Sequence, residues 1–264
     1  IGVAMGITGT EVTKDAAEMI LTDDNFATIV TADEGGRGLY DNLMKYIRVQ
    51  MIMLAGFILT FVGAGIFTIA DGTPLLPLQI LWINFAVDVL LAIGLGFDAP
   101  TPGLMQRRPR SPDEPVIAPA LGVRLGVAGL LIAIGTLSVV AWGEDRYGLA
   151  VATTMGLTTM SLLHIVTALE WRDPVRSIFN RDTIANGRFN LLMLVALALT
   201  FLVTTVPGLQ RIFDTVELDG HQWRACFIAV VAYLVLAELA KLVLRRIDHE
   251  ASDGHISTST DVKL

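Results

Sequence analysis

A carboxylate and an amide lie one helical turn apart inside an apolar stretch. Asp88 falls in the middle of the hydrophobic segment 75–97, and Asn84 precedes it by four residues. This spacing places both side chains on one face of a helix. A charged group near the bilayer centre costs about 2.5–3.5 kcal/mol on insertion scales, so it is kept where it meets a polar path, a partner or an ion. The pair predicts an oxygen-lined site for a transported cation, with Asn84 and Asp88 as ligands.

Two side chains cannot complete such a site. A hard cation such as Ca²⁺ takes six to eight oxygen ligands, at about 2.3–2.6 Å. Backbone carbonyls must therefore contribute, and Gly94 and Gly96 predict a point where the helix unwinds to expose them. The alternatives are a structural partner for Asp88 and an interhelical hydrogen bond from Asn84, which is a routine role for asparagine in membrane helices.

The elements that position this pair are membrane spans. The chain is 53% hydrophobic and 17% charged, with a mean hydropathy of +0.60, which is too apolar for an ordinary soluble domain. A spanning helix needs about 20 apolar residues. Six stretches qualify, at 47–69, 76–97, 119–142, 149–169, 190–207 and 223–243. The sequence thus predicts an all-α polytopic membrane bundle that has the lipid bilayer as a partner.

Basic residues predict the orientation of the bundle, because cytoplasmic loops carry an excess of Lys and Arg. With the first segment cytoplasmic, that side carries twelve basic residues and the other side three. The twelve are Lys45, Arg48, Arg107, Arg108, Arg110, Arg172, Arg176, Arg181, Arg188, Lys241, Arg245 and Arg246, and the three are Arg146, Arg211 and Arg224. Both ends of the chain are therefore expected in the cytoplasm. The one cysteine, Cys226, predicts a buried apolar filler rather than a disulfide.

Residues 1–46 differ in kind from the rest. Ile1 to Met5 indicates a strand at the edge of a soluble α/β domain, Thr10 indicates a helix N-cap, and helical spacing continues from Lys14 to Leu21. Asp23-Asp24-Asn25 ends that helix and can cap the next, which runs toward the membrane with an interruption at Gly35-Gly36.

The segments between and after the spans are polar. Gly143 to Arg146 predicts a short external turn, and the loop around Arg107 is rich in proline and arginine. The predicted domains are 1–46, a membrane domain at 47–246 and a disordered cytoplasmic tail at 247–264. The chain begins at Ile1 and not at Met, which we interpret as the mark of a fragment.

Several runs of this sequence resemble type II P-type cation ATPases of the calcium-pump kind. The likeness covers nearly the whole chain, up to Arg246. It is carried by Ile1 to Val12, Leu21 to Phe26, Tyr40-Asp41-Asn42, Leu81-Trp82-Ile83-Asn84, Asp88, Leu95 to Asp98 and Arg107 to Ile117.

The resemblance implies that the six spans are helices five to ten of a ten-helix pump, and that residues 1–46 end its phosphorylation domain and stalk. The motifs Asp-Lys-Thr-Gly-Thr, Thr-Gly-Glu, Gly-Asp-Gly-x-Asn-Asp and Pro-Glu-Gly-Leu are absent from this sequence. ATP and Mg²⁺ would be bound by the missing N-terminal part of the same pump, so the fragment is expected to hold no catalytic residue and to be inactive alone. A bacterial plasma membrane and no nucleic acid partner are implied.

The fifth helix departs from two-site calcium pumps. Leu54 and Phe57 stand where those pumps have Asn and Glu, and Val87 replaces a threonine. The resemblance then implies that one site is lost and that one Ca²⁺ site remains, at Asn84 and Asp88. The alternatives are a pump for Mn²⁺ or a monovalent cation, and a non-catalytic truncated membrane module. A secondary transporter would show inverted repeats instead.

Two further side chains carry competing hypotheses. His164 occupies the place of an eighth-helix glutamate, where it could carry a proton or act in counter-transport, since histidine is the side chain that most readily changes charge near neutral pH. The other interpretation is a hydrogen-bonded histidine of the bundle. Glu238 precedes Lys241 by three residues, which favours a structural ion pair.

Overall fold

The computed structural model describes residues 1–99, 101, 103–107, 117–173, 177–178 and 186–260, with side chains as far as 243. The chain forms two compact units. One contains Ile1–Met44 and the described residues from Ala99 to Glu114. The other contains Lys45–Asp98 and the described residues from Pro115 onward.

The first unit begins with a small β-α-β arrangement. Strand β1 (Val3–Met5) pairs in parallel with β2 (Met19–Leu21), and the short helix α1 (Glu11–Asp15) connects them. Thr10 caps α1, as predicted, by accepting a hydrogen bond from the Thr13 amide. The predicted helix from Lys14 to Leu21 is wrong, because Met19–Leu21 gain a backbone ladder with β1 that their helical spacing does not reveal.

Helix α2 (Ala27–Phe67) is 41 residues long. Its start is held as predicted, since Asn25 Oδ1 accepts from the Ala27 amide at 3.0 Å. The predicted interruption at Gly35-Gly36 is wrong, because the helix continues through both residues. Glycine is roughly 1 kcal/mol less favourable than alanine in a helix interior. The helical residues on both sides of Gly35-Gly36 outweigh this local cost in a helix of 41 residues.

The second unit contains the apolar helices. Including α2, six helices of the described residues are long and apolar enough to cross a membrane, which confirms the predicted number. The second spanning segment is continuous but consists of α3 (Pro77–Trp82), a π-helical segment (Ile83–Asp88) and α4 (Val89–Gly96). The others are α5 (Pro119–Tyr147), α6 (Leu149–Glu170), α7 (Gly187–Thr205) and α9 (Gly220–Thr260), with the short α8 (Pro207–Phe213) before the last.

Two predicted boundaries differ from the structure. The turn predicted at 143–146 is wrong, because α5 continues to Tyr147 and the chain reverses at Gly148, whose φ of +82° suits glycine. Gly143 instead lies against Ala152 and Met155 of α6. Helix α9 continues to Thr260, within the segment 247–264 that the sequence predicts to be disordered. That segment contains no proline and only one glycine, Gly254, so few of its residues oppose a helix.

Helix α6 is the central element of the bundle. It is the most buried of the six and contacts α5, α7, α9 and the π-helical segment. Two of its threonines are satisfied within the helix: Thr154 Oγ1 donates to the Ala150 carbonyl, and Thr158 Oγ1 to the Thr154 carbonyl, both at 2.8 Å. A buried helix can therefore carry polar residues without exposing unpaired hydroxyls at these positions.

Helices α2 and α5 meet closely at Gly129. A Cβ added there would lie 2.6 Å from the Ala55 Cβ and 3.0 Å from the Gly56 nitrogen. We expect Gly129→Ala to lower the free energy of unfolding by about 1–3 kcal/mol through overpacking. Thermal unfolding of the purified protein would measure it. Gly126→Ala is the matched control, because nothing lies within 4 Å of its added Cβ. Equal melting temperatures for the two variants would contradict the prediction.

Candidate cation site

Asp88 ends a six-residue π-helical segment, Ile83–Asp88, inside an otherwise α-helical span. Such segments are rare and occur frequently at functional sites. The predicted unwinding at Gly94 and Gly96 is wrong, because both lie in the regular helix α4. An added Cβ at Gly94 would come within 3.0 Å of the Phe189 ring, so this glycine allows close packing against α7. The backbone departs from α-helical geometry between Asn84 and Asp88 instead.

The Asp88 carboxylate contacts the predicted transport residue His164 directly. Asp88 Oδ1 and His164 Nδ1 are 2.9 Å apart, and both side chains are buried. The second carboxylate oxygen, Oδ2, and the second imidazole nitrogen, Nε2, are buried without a hydrogen-bond partner among the described residues. Buried polar atoms are usually paired, and those that are not call for an explanation such as an ion. The pair thus combines one engaged and one available atom on each side chain.

Asn84 is half-buried and makes a local hydrogen bond. Its Nδ2 donates to the Ile80 carbonyl, one turn earlier, at 2.9 Å. Among the described residues its Oδ1 accepts no hydrogen bond, so the amide is oriented with that oxygen available. The interhelical hydrogen bond considered for Asn84 is not formed with the described residues.

Leu54, Phe57 and Val87 contribute no side-chain oxygen near Asp88. The Phe57 ring packs edge-on against the His164 imidazole, with centroids 5.3 Å apart. Leu54 is 50% exposed and does not belong to the buried core. Val87 is fully buried beside Asp88 and is apolar. Where the structure describes the chain, no group of three or more His, Cys, Asp or Glu side chains could hold a metal ion.

A second buried carboxylate, Asp98, connects the ends of α4, α6 and α7 to the middle of α2. Its Oδ2 is 3.2 Å from Lys45 Nζ and its Oδ1 is 2.7 Å from Arg172 Nη2, and Asn186 Nδ2 donates to Oδ1 at 2.9 Å. These four residues form the Asp98 cluster. Burial alone would raise the pKa of Asp98, but the Arg172 hydrogen bond and the charges of Lys45 and Arg172 outweigh it, so the pKa lies below its ordinary value.

A third charged pair lies at the end of α6. Lys241 Nζ pairs with the Glu170 carboxylate and donates to the Glu170 carbonyl at 2.8 Å. The predicted pair of Glu238 with Lys241 is present but longer, at 3.9 Å. Glu238 Oε1 instead accepts from the Ile178 amide at 2.9 Å. Lys241 therefore connects α9 mainly to α6.

Sequence reasoning did not find the Asp98 cluster or the Glu170 pair. It counted Lys45, Arg172 and Lys241 as orientation signals, although all three lie against buried carboxylates. A signal was available, because Asp98 and Glu170 each stand at the end of an apolar span. The loop from Arg108 to Val116 lies outside the described residues. Cys226 is buried and free, as predicted.

The comparisons with known proteins show the family of this chain. The family model described as cation transporting ATPase, C-terminus, matches residues 72–243, which is more than half of the chain. The chain belongs to this cation-transporting ATPase family. The six apolar helices of the described residues are consistent with the family's C-terminal membrane domain, the matched range contains the five that follow α2, and the chain is an integral membrane protein.

Relatives within the cation-transporting ATPases match most of this chain. It is 37% identical over 84% of its length to the calcium-transporting ATPase of Bacillus subtilis, and 34% identical over 91% to the cation-transporting ATPase pma1 of Synechocystis. It is 32% identical over 92% to calcium-transporting ATPase 1 of Bacillus cereus. The matches cover 25%, 27% and 29% of those relatives, so the chain spans roughly a quarter of their length.

Proposed function

We propose that this chain is the membrane part of an ATP-driven pump that exports Ca²⁺ from the cytoplasm through one site at Asn84 and Asp88. The observation that carries the proposal is the buried Asp88 carboxylate, which has one oxygen at His164 and the other without a hydrogen-bond partner in the part of the chain that the structure describes. Two of the relatives described above are named calcium-transporting ATPases. Carboxylate and amide oxygens are the ligands that a hard cation prefers.

In this proposal the π-helical segment positions the ligands. Asp88 supplies a negative oxygen, Asn84 a neutral one, and His164 holds the carboxylate through its Nδ1. The rest of the coordination shell comes from backbone carbonyls and from helices that precede this chain in the longer protein. Phe57 and Leu54 provide no ligand, which supports a single site.

The remaining parts of the proposal concern the longer protein. Residues 1–46 are the end of its α/β phosphorylation domain and stalk, 47–246 its membrane domain and 247–264 its tail. ATP and Mg²⁺ bind in the part that precedes this chain. The distribution of basic residues favours cytoplasmic locations for both ends of the chain, in a bacterial plasma membrane.

Mn²⁺ is the second candidate, and His164 is the observation that favours it. Mn²⁺ shares the preference of Ca²⁺ for oxygen ligands, but as a transition-metal ion it can also accept an imidazole nitrogen, whereas Ca²⁺ takes oxygen ligands. His164 Nε2 is buried and has no hydrogen-bond partner among the described residues. The other ring nitrogen, Nδ1, contacts Asp88, which lies 76 positions earlier in the chain. A role for His164 in counter-transport stays a prediction.

Cation-dependent ATP hydrolysis and uptake into vesicles, measured on the longer protein with Ca²⁺, Mn²⁺, Na⁺ and K⁺, test the proposal. We expect stimulation and uptake with Ca²⁺, and His164→Asn to keep them within about threefold, because the asparagine Nδ2 takes the place of the imidazole Nδ1 and can donate a hydrogen bond to Asp88. Preference for Mn²⁺, lost in His164→Asn, would replace Ca²⁺ by the second candidate. Indifference to both divalent ions would refute the proposed site.

A further inference from the structure

A groove of about 660 Å³ opens on the surface of the bundle between α5 and α9. Its walls are aliphatic and face outward: Ile134 is 52% exposed and Ile228 is 69% exposed. Ser138 and the buried Tyr233 also line it, and the Tyr233 hydroxyl accepts a hydrogen bond from Thr167. A second recess of about 380 Å³ shares Leu131, Tyr233 and Leu236 with it, but Arg124, Glu170 and Lys241 line that recess as well, so the apolar trough is the groove of about 660 Å³ alone.

One end of the groove is cationic and aromatic. Arg224 and His221 line it together with Trp142 and Tyr147. Arg224 Nη2 lies 2.7 Å from His221 Nδ1, and its Nε donates to the Gly220 carbonyl at 3.1 Å, which holds the guanidinium at the rim. Among the described residues, no carboxylate lines this groove. Trp and Tyr are the residues that occupy the boundary between hydrocarbon and headgroups.

The charge at this end is reinforced by a neighbour. The Arg146 guanidinium lies 4.7 Å from the Trp142 ring, in cation–π contact beside the groove. The adjacent Glu144 carboxylate is occupied elsewhere, since its Oε2 accepts a hydrogen bond from the Ala70 amide at 2.8 Å. Two arginines therefore stand at the end of an apolar trough that faces the hydrocarbon.

We propose that this groove binds an anionic phospholipid, with an acyl chain in the trough and the headgroup phosphate at Arg224. A trough that is apolar along its length and cationic at its end matches a phospholipid in both parts. A partner helix would cover the aliphatic walls but leaves the two arginines without an anion. The site is separate from Asp88 and does not depend on which ion is transported.

Native mass spectrometry of the purified protein, reconstituted with equal amounts of phosphatidylglycerol and phosphatidylcholine, tests this site. We expect preferential retention of phosphatidylglycerol, and a roughly fivefold loss of that preference in Arg224→Gln, which corresponds to about 1 kcal/mol for one basic residue near anionic lipid. Arg211→Gln is the matched control, because Arg211 is exposed on α8 and does not line the groove.

A second variant distinguishes the contribution of the apolar groove from that of the Arg224 charge. Ala229 lines the trough, so Ala229→Phe fills it while leaving Arg224 in place, and it should lower retention of both lipids. Equal retention of the two lipids by the wild type would overturn the proposal. So would unchanged preference in Arg224→Gln, or photo-crosslinking from position 229 to a second polypeptide rather than to lipid.

Discussion

Replacing Asp88 with asparagine is expected to lower the apparent cation affinity of the longer protein about a hundredfold. The change removes the negative charge of the proposed site while keeping an oxygen that can accept from His164 Nδ1 at the same position. Removing one partner of a buried charged contact costs roughly 2–5 kcal/mol, and each 1.4 kcal/mol is a factor of ten. The measurement is the cation concentration that gives half-maximal ATP hydrolysis.

Asp145→Asn is the control for this experiment. Asp145 is exposed near the end of α5, so this substitution removes the same charge at a position away from the bundle interior. It should leave the cation dependence unchanged. If Asp88→Asn retained wild-type affinity and a wild-type melting temperature, the cation would not bind at Asp88, and the structural partner His164 would explain the buried carboxylate by itself.

Asp98→Ala is expected to destabilise the bundle by about 3–5 kcal/mol. The Lys45 and Arg172 side chains are 4% and 11% exposed, so the variant removes the Asp98 carboxylate from beside two buried cations. Breaking a buried ion pair from one side has this magnitude, because the remaining charge stays desolvated. Thermal or denaturant unfolding of the purified protein measures the change. A loss below about 1 kcal/mol would mean that water reaches these cations.

The same cluster predicts the direction of a pH effect. The pKa of Asp98 is lowered in the folded protein, so the cluster stabilises the fold fully above the unfolded-state pKa of about 3.9 and loses this contribution as the pH falls through the folded-state value. The stability difference between wild type and Asp98→Asn should be constant from pH 5 to 7 and shrink only below about pH 4. A difference that already shrinks near pH 6 would contradict this assignment.

Local patterns predicted the parts of the fold that depend on nearby residues. The six spans follow from the length of the apolar stretches, and the cap at Thr10 follows from a hydroxyl at a helix start. The errors arise where a distant segment overrides a local preference. Met19–Leu21 become a strand because β1 pairs with them, and Gly94 stays helical because the Phe189 ring packs against it.

The candidate site was predictable only in part. Asp88 stands out because a carboxylate is costly inside an apolar span. Its contact with His164 joins residues 76 positions apart, and the bond from Asn186 to Asp98 joins residues 88 positions apart. A single sequence gives the types of these residues but not their pairing, since the pairing depends on how the helices rotate against one another.

The π-helical segment has a consequence for how the chain tolerates changes in length. An α-helix turns about 100° per residue, and a π-helical segment accommodates an additional residue within its wider turn. The two ends of this span are anchored independently, by Gln79 at the Phe213 carbonyl and by Gly94 against Phe189. Deleting one residue from a regular α-helical part of this span would turn one anchor away from its partner by about a quarter of a circle. We expect a one-residue deletion within Ile83–Asp88 to be tolerated better, because the wider π-helical turn can return to α-helical geometry there.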